Sequence, residues 1–228
     1  MKRKFLPALL CVAATLPMIA QNKIEDRMGE SAEVLTQILS RPDAIPQPLL
    51  DKAVCVLVFP AVKKVGVGLG VSYGRGVIAC RSGGDMTGTW SAPAMYKLDV
   101  GSLGVQLGKS TTDYVLLVEN KASAIKVLSG KLKLGADATA VAGPTGAKAV
   151  GANDVQFDIL TYSRAKGGLF AGAALGSASM ATDDDANKVV YGKSISATEI
   201  VREGTGITVT PAGHNFIKVL DTASPKYK

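Results

Sequence analysis

Apolar residues follow a helical period near the start of the chain. Between Asn22 and Leu39 they recur every three or four positions, with charged residues on the other face, which predicts an amphipathic helix. Asn22 and Glu25 have the spacing of a capping box that would begin this helix, and Pro42 would end it. The acidic residues of the polar face outnumber Lys23 and Arg27, whereas surface-active helices usually carry a basic face. The pattern therefore favours packing on a core over membrane insertion.

Short apolar segments with a strand period make up most of the remaining chain. Pro46 opens a short helix that reaches Ala53, and Val54–Phe59 is an apolar run that predicts a buried strand. Val65–Cys80 alternates glycine with aliphatic residues and is interpreted as one long strand with a bare backbone face. Glycine on a strand face marks close approach of another element or a strongly bent sheet.

Later segments predict further strands and two helices. The predicted helices are Lys121–Leu128 and a short final one from Pro211 to Leu220. The predicted strands are Thr89–Leu98, Ser102–Leu107, Tyr114–Val118, Lys131–Leu134, Thr139–Ala142, Val155–Tyr162 and Leu169–Ser179. Many short strands separated by glycine-rich turns indicate a sandwich or barrel. The expected fold is β-rich α+β: a curved antiparallel sheet or barrel-like sandwich with N-terminal helices and a short C-terminal helix.

Residues 1–20 have the form of a secretory signal peptide. Lys2, Arg3 and Lys4 precede a short apolar region, and Ala20 offers a cleavage site. An uncleaved membrane anchor is the alternative, but the apolar run barely reaches spanning length. The sequence around Cys11 fits a lipidation site poorly. The expected organisation is a signal peptide over 1–20 and one domain over 21–228, exported to the periplasm or peripheral at the outer membrane.

Composition excludes several classes of protein. Of the 228 residues, 47% are hydrophobic and 20% charged, which excludes intrinsic disorder. Loss of the signal peptide would lower the formal charge of +7 by three, and only 5% of residues are aromatic. This is not the profile of a nucleic-acid-binding protein. An exported chain cut after Ala20 would keep Cys55 and Cys80, which suggests a disulfide, with two buried free thiols as the alternative.

Near-matches to three catalytic, phosphate-binding or metal-binding motifs lack essential residues or context. Gly70–Gly74 fits G-x-S-x-G, but residues 75–80 continue as a strand where a nucleophile elbow needs a helix. A serine hydrolase using Ser72 and the single histidine, His214, is therefore the least favoured of the functions considered. Two segments end like a phosphate-binding loop without its first glycine, and the residues from Asp183 open like a calcium loop without its glycine and closing glutamate. No catalysis, cofactor or metal is expected.

Basic residues fall in pairs, some of them beside glycine-rich turns. The pairs are Lys63 with Lys64, Lys131 with Lys133, and Arg164 with Lys166. One interpretation is an ordinary solvated surface. The other is a patch that meets anionic lipid headgroups, for which the candidate residues are Lys63, Lys64, Arg75, Arg164 and Lys166.

A series of motifs in a fixed order resembles one known family. They are IPQPLLDKAVCVLVFP (45–60), GRGV (74–77), WSAP (90–93), GVQLG (104–108), TDYVLLVEN (112–120), LGAD (134–137), AGPTG (142–146) and YSRAKGGLFAG (162–172). Together they resemble the SYLF lipid-binding domain family, in the branch that bacteria export. The resemblance covers about residues 27–222. It implies that Trp90, Pro93 and the glycines determine the fold.

The resemblance implies binding rather than catalysis. Eukaryotic members bind phosphoinositides and other acidic phospholipids, and a yeast member also binds and bundles actin. An exported bacterial protein would meet neither actin nor phosphoinositides, so phosphatidylglycerol, cardiolipin or a phosphorylated outer-membrane lipid would take their place. The expected function is non-catalytic, peripheral binding of acidic lipid at the cell envelope. The alternative is a structural envelope protein that acts through protein–protein contacts or self-association.

Overall fold

The described part of the chain contains nine strands and five helices. The computed structural model describes residues 15–41, 45–67, 69–102, 107–143, 158–165, 170–172, 175 and 178–227. The helices are α1 (Thr15–Leu39), α2 (Gln47–Lys52), α3 (Lys121–Leu128), α4 (Asp184–Tyr191) and α5 (Pro211–Ala223), with a π-helical turn at Glu199–Glu203. The strands are β1 (Cys55–Val67), β2 (Leu69–Cys80), β3 (Ala94–Ser102), β4 (Leu107–Val118), β5 (Lys131–Lys133), β6 (Ala140–Ala142), β7 (Ile159–Ala165), β8 (Phe170–Gly172) and β9 (Ala178–Thr182).

All nine strands belong to one strongly curled sheet. Its order is β5-β9-β3-β2-β1-β4-β7-β6, and β8 pairs with β7. Neighbouring strands are antiparallel except for β6 and β7, which run parallel. The long strands β1, β2, β3 and β4 lie side by side at the centre, so the sheet is widest and most continuous there.

Apolar packing covers part of each face of the sheet. On one face, which we call the helix face, Met28 and Leu35 of α1 and Phe216 of α5 pack with Val58 and Val77 of the strands. On the other face the core includes side chains of α3 and of the π-helical turn. Consecutive residues of a strand point to opposite faces of the sheet. Because both faces are buried here, Val54–Phe59 is a continuous apolar run. Within the described residues, no helix has the length and apolar character needed to cross a membrane.

The fold class expected from the sequence is confirmed. The structure is a β-rich α+β fold with a curled sheet, N-terminal helices and a short C-terminal helix, and α3 begins and ends at the predicted residues. The parallel β6–β7 pair was not expected. The predicted start of the first helix is wrong, because α1 is already helical at Thr15 and Asn22 lies in its interior.

The single strand predicted over Val65–Cys80 is also wrong. The segment contains the end of a hairpin, because Val67 of β1 pairs with Leu69 of β2 and the chain reverses between them. An alternating pattern cannot distinguish one long strand from two strands that meet at a tight turn, since register continues through both. Part of the predicted strand Ser102–Leu107 lies outside the described residues.

Two glycines of β2 allow close approach to an irregularity in β1. The register between the strands shifts between Val58 and Lys63, and Ala61 adopts a φ of 49° there. A Cβ atom at Gly76 would lie 2.0 Å from the Val58 carbonyl oxygen, and one at Gly74 would lie 2.5 Å from Val62 Cγ2. The close approach that the glycine pattern predicted therefore occurs at this β-bulge.

Substitution of Gly76 by Ala is expected to destabilise the fold by about 3 kcal/mol, because backbone atoms of β1 cannot retreat as a flexible side chain can. Gly29, in α1, is the matched control because a Cβ there meets nothing within 4 Å. Gly29→Ala should stabilise the protein by about 0.5–1 kcal/mol. Urea unfolding of both variants measures the difference. Equal effects would contradict this account of the bulge.

The structure joins Cys55 of β1 to Cys80 of β2. They are direct cross-strand partners, and their sulfur atoms lie 2.00 Å apart. We predict that the protein in solution carries this bond, which closes a loop spanning a sequence separation of 25. Replacement of both residues by Ala should then cost about 3–4 kcal/mol of stability in the chain-entropy model. Mass spectrometry of non-reduced, alkylated protein decides the point, and recovery of two alkylated thiols would remove the bridge.

Candidate functional site: a cationic face of the sheet

Strand register brings basic residues from four strands onto the helix face. One row runs Lys133, Ser179, Asp99, Tyr73 and Lys63, each the direct partner of the next across β5, β9, β3, β2 and β1. A second, parallel row contains Lys131, Ala181, Lys97 and Arg75. Direct cross-strand partners share a face, so these side chains form one surface. We call the residues Lys63, Tyr73, Arg75, Lys97, Lys131 and Lys133 the cationic face.

The cationic face is open to solvent. Lys63, Lys131 and Lys133 are exposed, and the alternate residue Leu132 is buried in the core on the other side of the sheet. Tyr73 is 52% exposed, which is unusual for an aromatic ring in the centre of a row. On β9, the residues between the lysines of β5 and the charged residues of β3 are Ser179 and Ala181. Their side chains are too small to separate the two sets of charges. The charged side chains are spread over β5, β3, β2 and β1, an arrangement that suits an extended partner.

Acidic residues offset part of this positive charge. Asp183, at the start of α4, is buried, and its two carboxylate oxygens lie 3.3 Å from Arg75 Nη1 and 3.2 Å from Lys97 Nζ. Asp99 is exposed within the first row. Among the described residues, Lys63, Lys131 and Lys133 have no carboxylate within 4 Å. These three lysines therefore present uncompensated charge to a partner.

Arg27 of α1 interacts electrostatically with Arg75 of the second row and with Asp183. Burial lowers the pKa of its guanidinium, and the nearby charge of Arg75 lowers it further, while Asp183 and Glu30 act in the opposite direction. Its Nη1 atom is buried and has no hydrogen-bond partner in the described part of the structure. Arg75 and Lys97 thus contact one buried carboxylate, and Arg27 lies within range of its charge.

The patch predicted from the sequence forms only in part. Lys63 and Arg75 come together on the cationic face, but Lys64 lies on the opposite face, where it pairs with Ser72 and Ser110. A run of two lysines in a strand must divide between the two faces because side chains alternate. Lys166 lies outside the described residues.

Arg164, also predicted to bind lipid, is engaged within the fold. Its Nη2 donates to Asp113 Oδ2 at 2.6 Å, and its Nη1 donates to Gln37 of α1. The other Asp113 oxygen accepts from the backbone N–H of Ala61 at 2.8 Å. Arg164 therefore ties α1 to the β-bulge. Its charge is paired, which leaves it a weak candidate for contact with an external anion.

The near-matches to catalytic motifs have ordinary structural explanations. Ser72 lies inside the continuous strand β2, so residues 70–74 lack the sharp turn of a nucleophile elbow. His214 is exposed on α5. Asp183 and Asn187 belong to the beginning of a helix rather than to a calcium loop, and Asn187 Oδ1 accepts from the backbone N–H of Met95 at 2.7 Å.

Sequence reasoning missed four residues of this site: Arg27, Tyr73, Lys97 and Asp183. Lys97 and Asp99 alternate with apolar residues in β3, a pattern that identifies an exposed strand face. This alternation indicates that the two side chains are exposed, but it does not indicate which strands are neighbours in the sheet. The order of β5, β9, β3 and β2 joins segments far apart in the chain, so the cationic face exists only after folding.

The described residues form an α+β domain whose curled sheet presents an exposed charged face. Residues 99–223 match the Ysc84 family, described as Las17-binding protein actin regulator, over more than half of the chain. The chain belongs to this family, also known as SYLF. The sequence resemblance to SYLF proteins is thereby confirmed, and the family is one of binding proteins rather than of enzymes.

One curated relative contains a further module. The SH3 domain-containing protein PJ696.02 of Schizosaccharomyces pombe is 33% identical over 171 residues, which are 72% of this chain. The chain spans 38% of the length of that relative. The likeness therefore concerns the domain described here and leaves most of the relative unmatched.

Proposed function

We propose that the protein binds anionic lipid membranes peripherally through the cationic face. The observation that carries this proposal is the meeting of Lys63, Arg75, Lys97 and the two lysines of β5 on one face of the sheet. A bilayer is an extended anionic surface, so it can contact all of these groups at once. Tyr73 supports the same conclusion, because an exposed tyrosine suits a membrane interface that is apolar on one side and wet on the other.

The strength of such binding follows from the number of uncompensated charges. Each Lys or Arg near an anionic membrane contributes about 1 kcal/mol. Lys63, Lys131 and Lys133 contribute fully, whereas Arg75 and Lys97 share their charge with Asp183. Salt screens exposed charges over about 8–10 Å at physiological ionic strength. Binding should therefore be reversible and sensitive to salt.

We infer further that this binding is not coupled to catalysis and that it takes place at the cell envelope after export. The family match supports a binding role, and the first twenty residues support export through their basic start and short apolar region. In that compartment the ligands would be phosphatidylglycerol, cardiolipin or a phosphorylated outer-membrane lipid.

A second candidate function is contact with an acidic protein surface. The description of the family as an actin regulator favours it, since the family role is stated in terms of proteins. The cationic face would then dock on a protein partner or on a second copy of the chain. Unlike the first candidate function, this one requires no lipid.

Flotation of the protein with vesicles tests the proposal. The protein should float with vesicles that contain phosphatidylglycerol or cardiolipin, remain in solution with phosphatidylcholine alone, and be released as the salt concentration rises. Equal flotation with anionic and neutral vesicles, or flotation with neither, would falsify lipid binding. Sedimentation of the protein without lipid is the matched control for self-association.

A further inference from the structure

Glu119 carries a carboxyl group that the proposed function does not use. The residue follows β4, and its side chain is only partly exposed. Its Oε1 atom is buried and has no hydrogen-bond partner in the part of the chain that the structure describes. A buried carboxylate without a donor is costly, whereas a protonated carboxyl group is neutral and supplies its own donor. The position therefore favours the protonated form.

Backbone hydrogen bonds place Glu119 where three segments meet. The N–H of Val54, just after α2, donates to the Val118 carbonyl at 2.8 Å, and the N–H of Glu119 donates to the Asp158 carbonyl at 3.1 Å. Asp158 directly precedes β7. We call residues 52–54, Glu119 and Asp158 the α2 junction. The end of α2 is thus fixed beside the end of β4, next to the buried carboxyl group.

On the α2 side, the charges do not balance an ionised Glu119. Among the described residues, no cation lies within 4 Å of its carboxyl oxygens. Asp51 of α2 is itself acidic, and it accepts from Ser224 Oγ at 2.8 Å. Burial raises the pKa of the Glu119 carboxyl group to about 7, and the positive charge of the exposed Lys52 offsets only part of this effect.

On the β7 side, the neighbouring titratable groups are acidic or neutral. Asp158 Oδ1 accepts from Ser123 Oγ at 2.6 Å, and this hydrogen bond is the main reason that the pKa of Asp158 is lowered. Tyr162 of β7 is a buried phenol. Burial raises its pKa, and the charge of Glu119 raises it further, so Tyr162 stays neutral. Neither group favours ionisation of Glu119.

We propose that Glu119 is a proton-dependent latch: its neutral carboxyl group keeps the end of α2 packed at the α2 junction, and loss of the proton loosens this junction. An ionised carboxylate there must reach water, and movement of a six-residue helix is the smallest opening that admits it. Leu50 of α2 is buried in the core, so loosening also weakens packing on the helix face. This inference is independent of the proposed membrane function.

The direction of the pH effect follows from the raised pKa of Glu119. The folded chain keeps the proton in a pH range where the unfolded chain has already lost it, so this contribution to stability is complete at low pH. It is lost as the pH rises through about 7. With an ordinary value of about 4.3 in the unfolded chain, the unfolding constant should rise about tenfold between about pH 6 and pH 8.

Urea unfolding at these two pH values tests the latch. The wild-type chain should show the tenfold rise, and Glu119→Gln should remove it, because the amide has nearly the same shape and stays neutral at both pH values. Glu203→Gln is the matched control, since Glu203 is exposed, and it should behave like the wild type. His214 is exposed and present in all three chains, so its own titration cancels in the comparison. A rise that persists in Glu119→Gln would show that another group causes it and would overturn the proposal.

A measurement on the wild-type chain keeps the test open if Glu119→Gln does not fold. Carbon NMR of labelled glutamate carboxyl groups should show one that titrates with a midpoint near pH 7. Midpoints that all lie below about pH 5 would mean that Glu119 is an ordinary surface carboxylate, and the latch would then be wrong.

Amide hydrogen exchange distinguishes a latch from a general loss of stability. At about pH 8, protection of the Ala53 and Val54 amides should be lower in the wild type than in Glu119→Gln, by up to about tenfold. The Ala124 amide of α3, which donates to the Asn120 carbonyl at 3.0 Å, is the internal control and should exchange equally in both chains. Equal protection of Ala53 and Val54 in the two chains would rule out the loosening of α2.

Discussion

Reversal of charge at Lys63, Lys131 and Lys133 is expected to weaken binding to anionic vesicles by at least about a hundredfold. Each lysine contributes about 1 kcal/mol near an anionic membrane, and a glutamate in its place adds repulsion. These three residues are exposed and have no carboxylate partner in the described part of the structure, so the substitutions remove no contact that the fold needs. Flotation at low salt measures the loss.

The matched control reverses three basic residues elsewhere. Arg202, Lys218 and Lys226 are also exposed, and they lie outside the cationic face. Their triple replacement by Glu changes the net charge by the same amount and should lower affinity far less. Equal losses in the two triple variants would mean that net charge, not this face, governs binding. The proposal would then be contradicted even though both variants bind weakly.

A buried arginine is expected to make the second large contribution, this time to stability. Arg81 follows β2 and is fully buried. Its Nη2 donates to Ser224 Oγ at 2.7 Å, and Ser224 Oγ donates to Asp51 Oδ1 at 2.8 Å. The Arg81 guanidinium also lies 4.1 Å from the centre of the Trp90 ring, whose Nε1 donates to the Ser224 carbonyl at 2.9 Å. The network joins α2, the sheet and the end of α5.

Arg81→Met should destabilise the protein by about 3–5 kcal/mol, because it removes a buried cation that is linked to the buried carboxylate of Asp51 through Ser224. For a chain of this size the melting temperature should fall by about 10 °C. Thermal unfolding followed by circular dichroism measures the change. Trp90→Phe, which loses the bond to Ser224 and part of the ring beneath Arg81, should cost about 1–3 kcal/mol and remains measurable if the first variant does not fold.

Arg202→Met is the control for the loss of an arginine. Arg202 is exposed in the π-helical turn, so its removal should change stability by less than about 0.5 kcal/mol. Addition of Asp51→Asn to Arg81→Met should recover part of the lost stability, since it removes a buried negative charge that the charge of Arg81 no longer favours. A double variant no more stable than Arg81→Met alone would show that lost packing on Trp90, rather than lost charge, causes most of the destabilisation.

Local patterns predicted the elements well where one short-range rule decides the structure. Lys121–Leu128 is a helix at the predicted residues because Asn120 caps it, accepting from the Ser123 N–H at 2.8 Å. Val54–Phe59 was recognised as buried from its continuous apolar run. The start of α1 was misplaced because Asn22 and Glu25 satisfy the rule for a capping box equally well inside a longer helix.

Long-range pairing explains why the site could be predicted only in part. Basic pairs drew attention to Lys63 and to the lysines of β5, but Lys97 stands alone in the sequence and Arg27 was assigned only to the polar face of a helix. The row from Lys131 to Arg75 depends on β9 pairing with both β5 and β3, which no local signal reveals. Arg164 is the opposite case, a predicted site residue that lies outside the site. The pairing of β4 with β7 brings it beside Asp113, which the sequence does not reveal.

The most direct test of membrane contact through the cationic face is a fluorescent label placed at its centre. Ser179 is exposed between Lys133 and Asp99, and Ser129 is exposed just after α3, on the side of the sheet away from this face. Each is replaced by cysteine, labelled with an environment-sensitive dye and titrated with phosphatidylglycerol vesicles at low salt. We expect the label at position 179 to shift to shorter wavelength and become shielded from an aqueous quencher, while the label at position 129 stays unchanged. Bound protein whose label at position 129 responds and whose label at position 179 does not would contradict the proposed membrane-binding face.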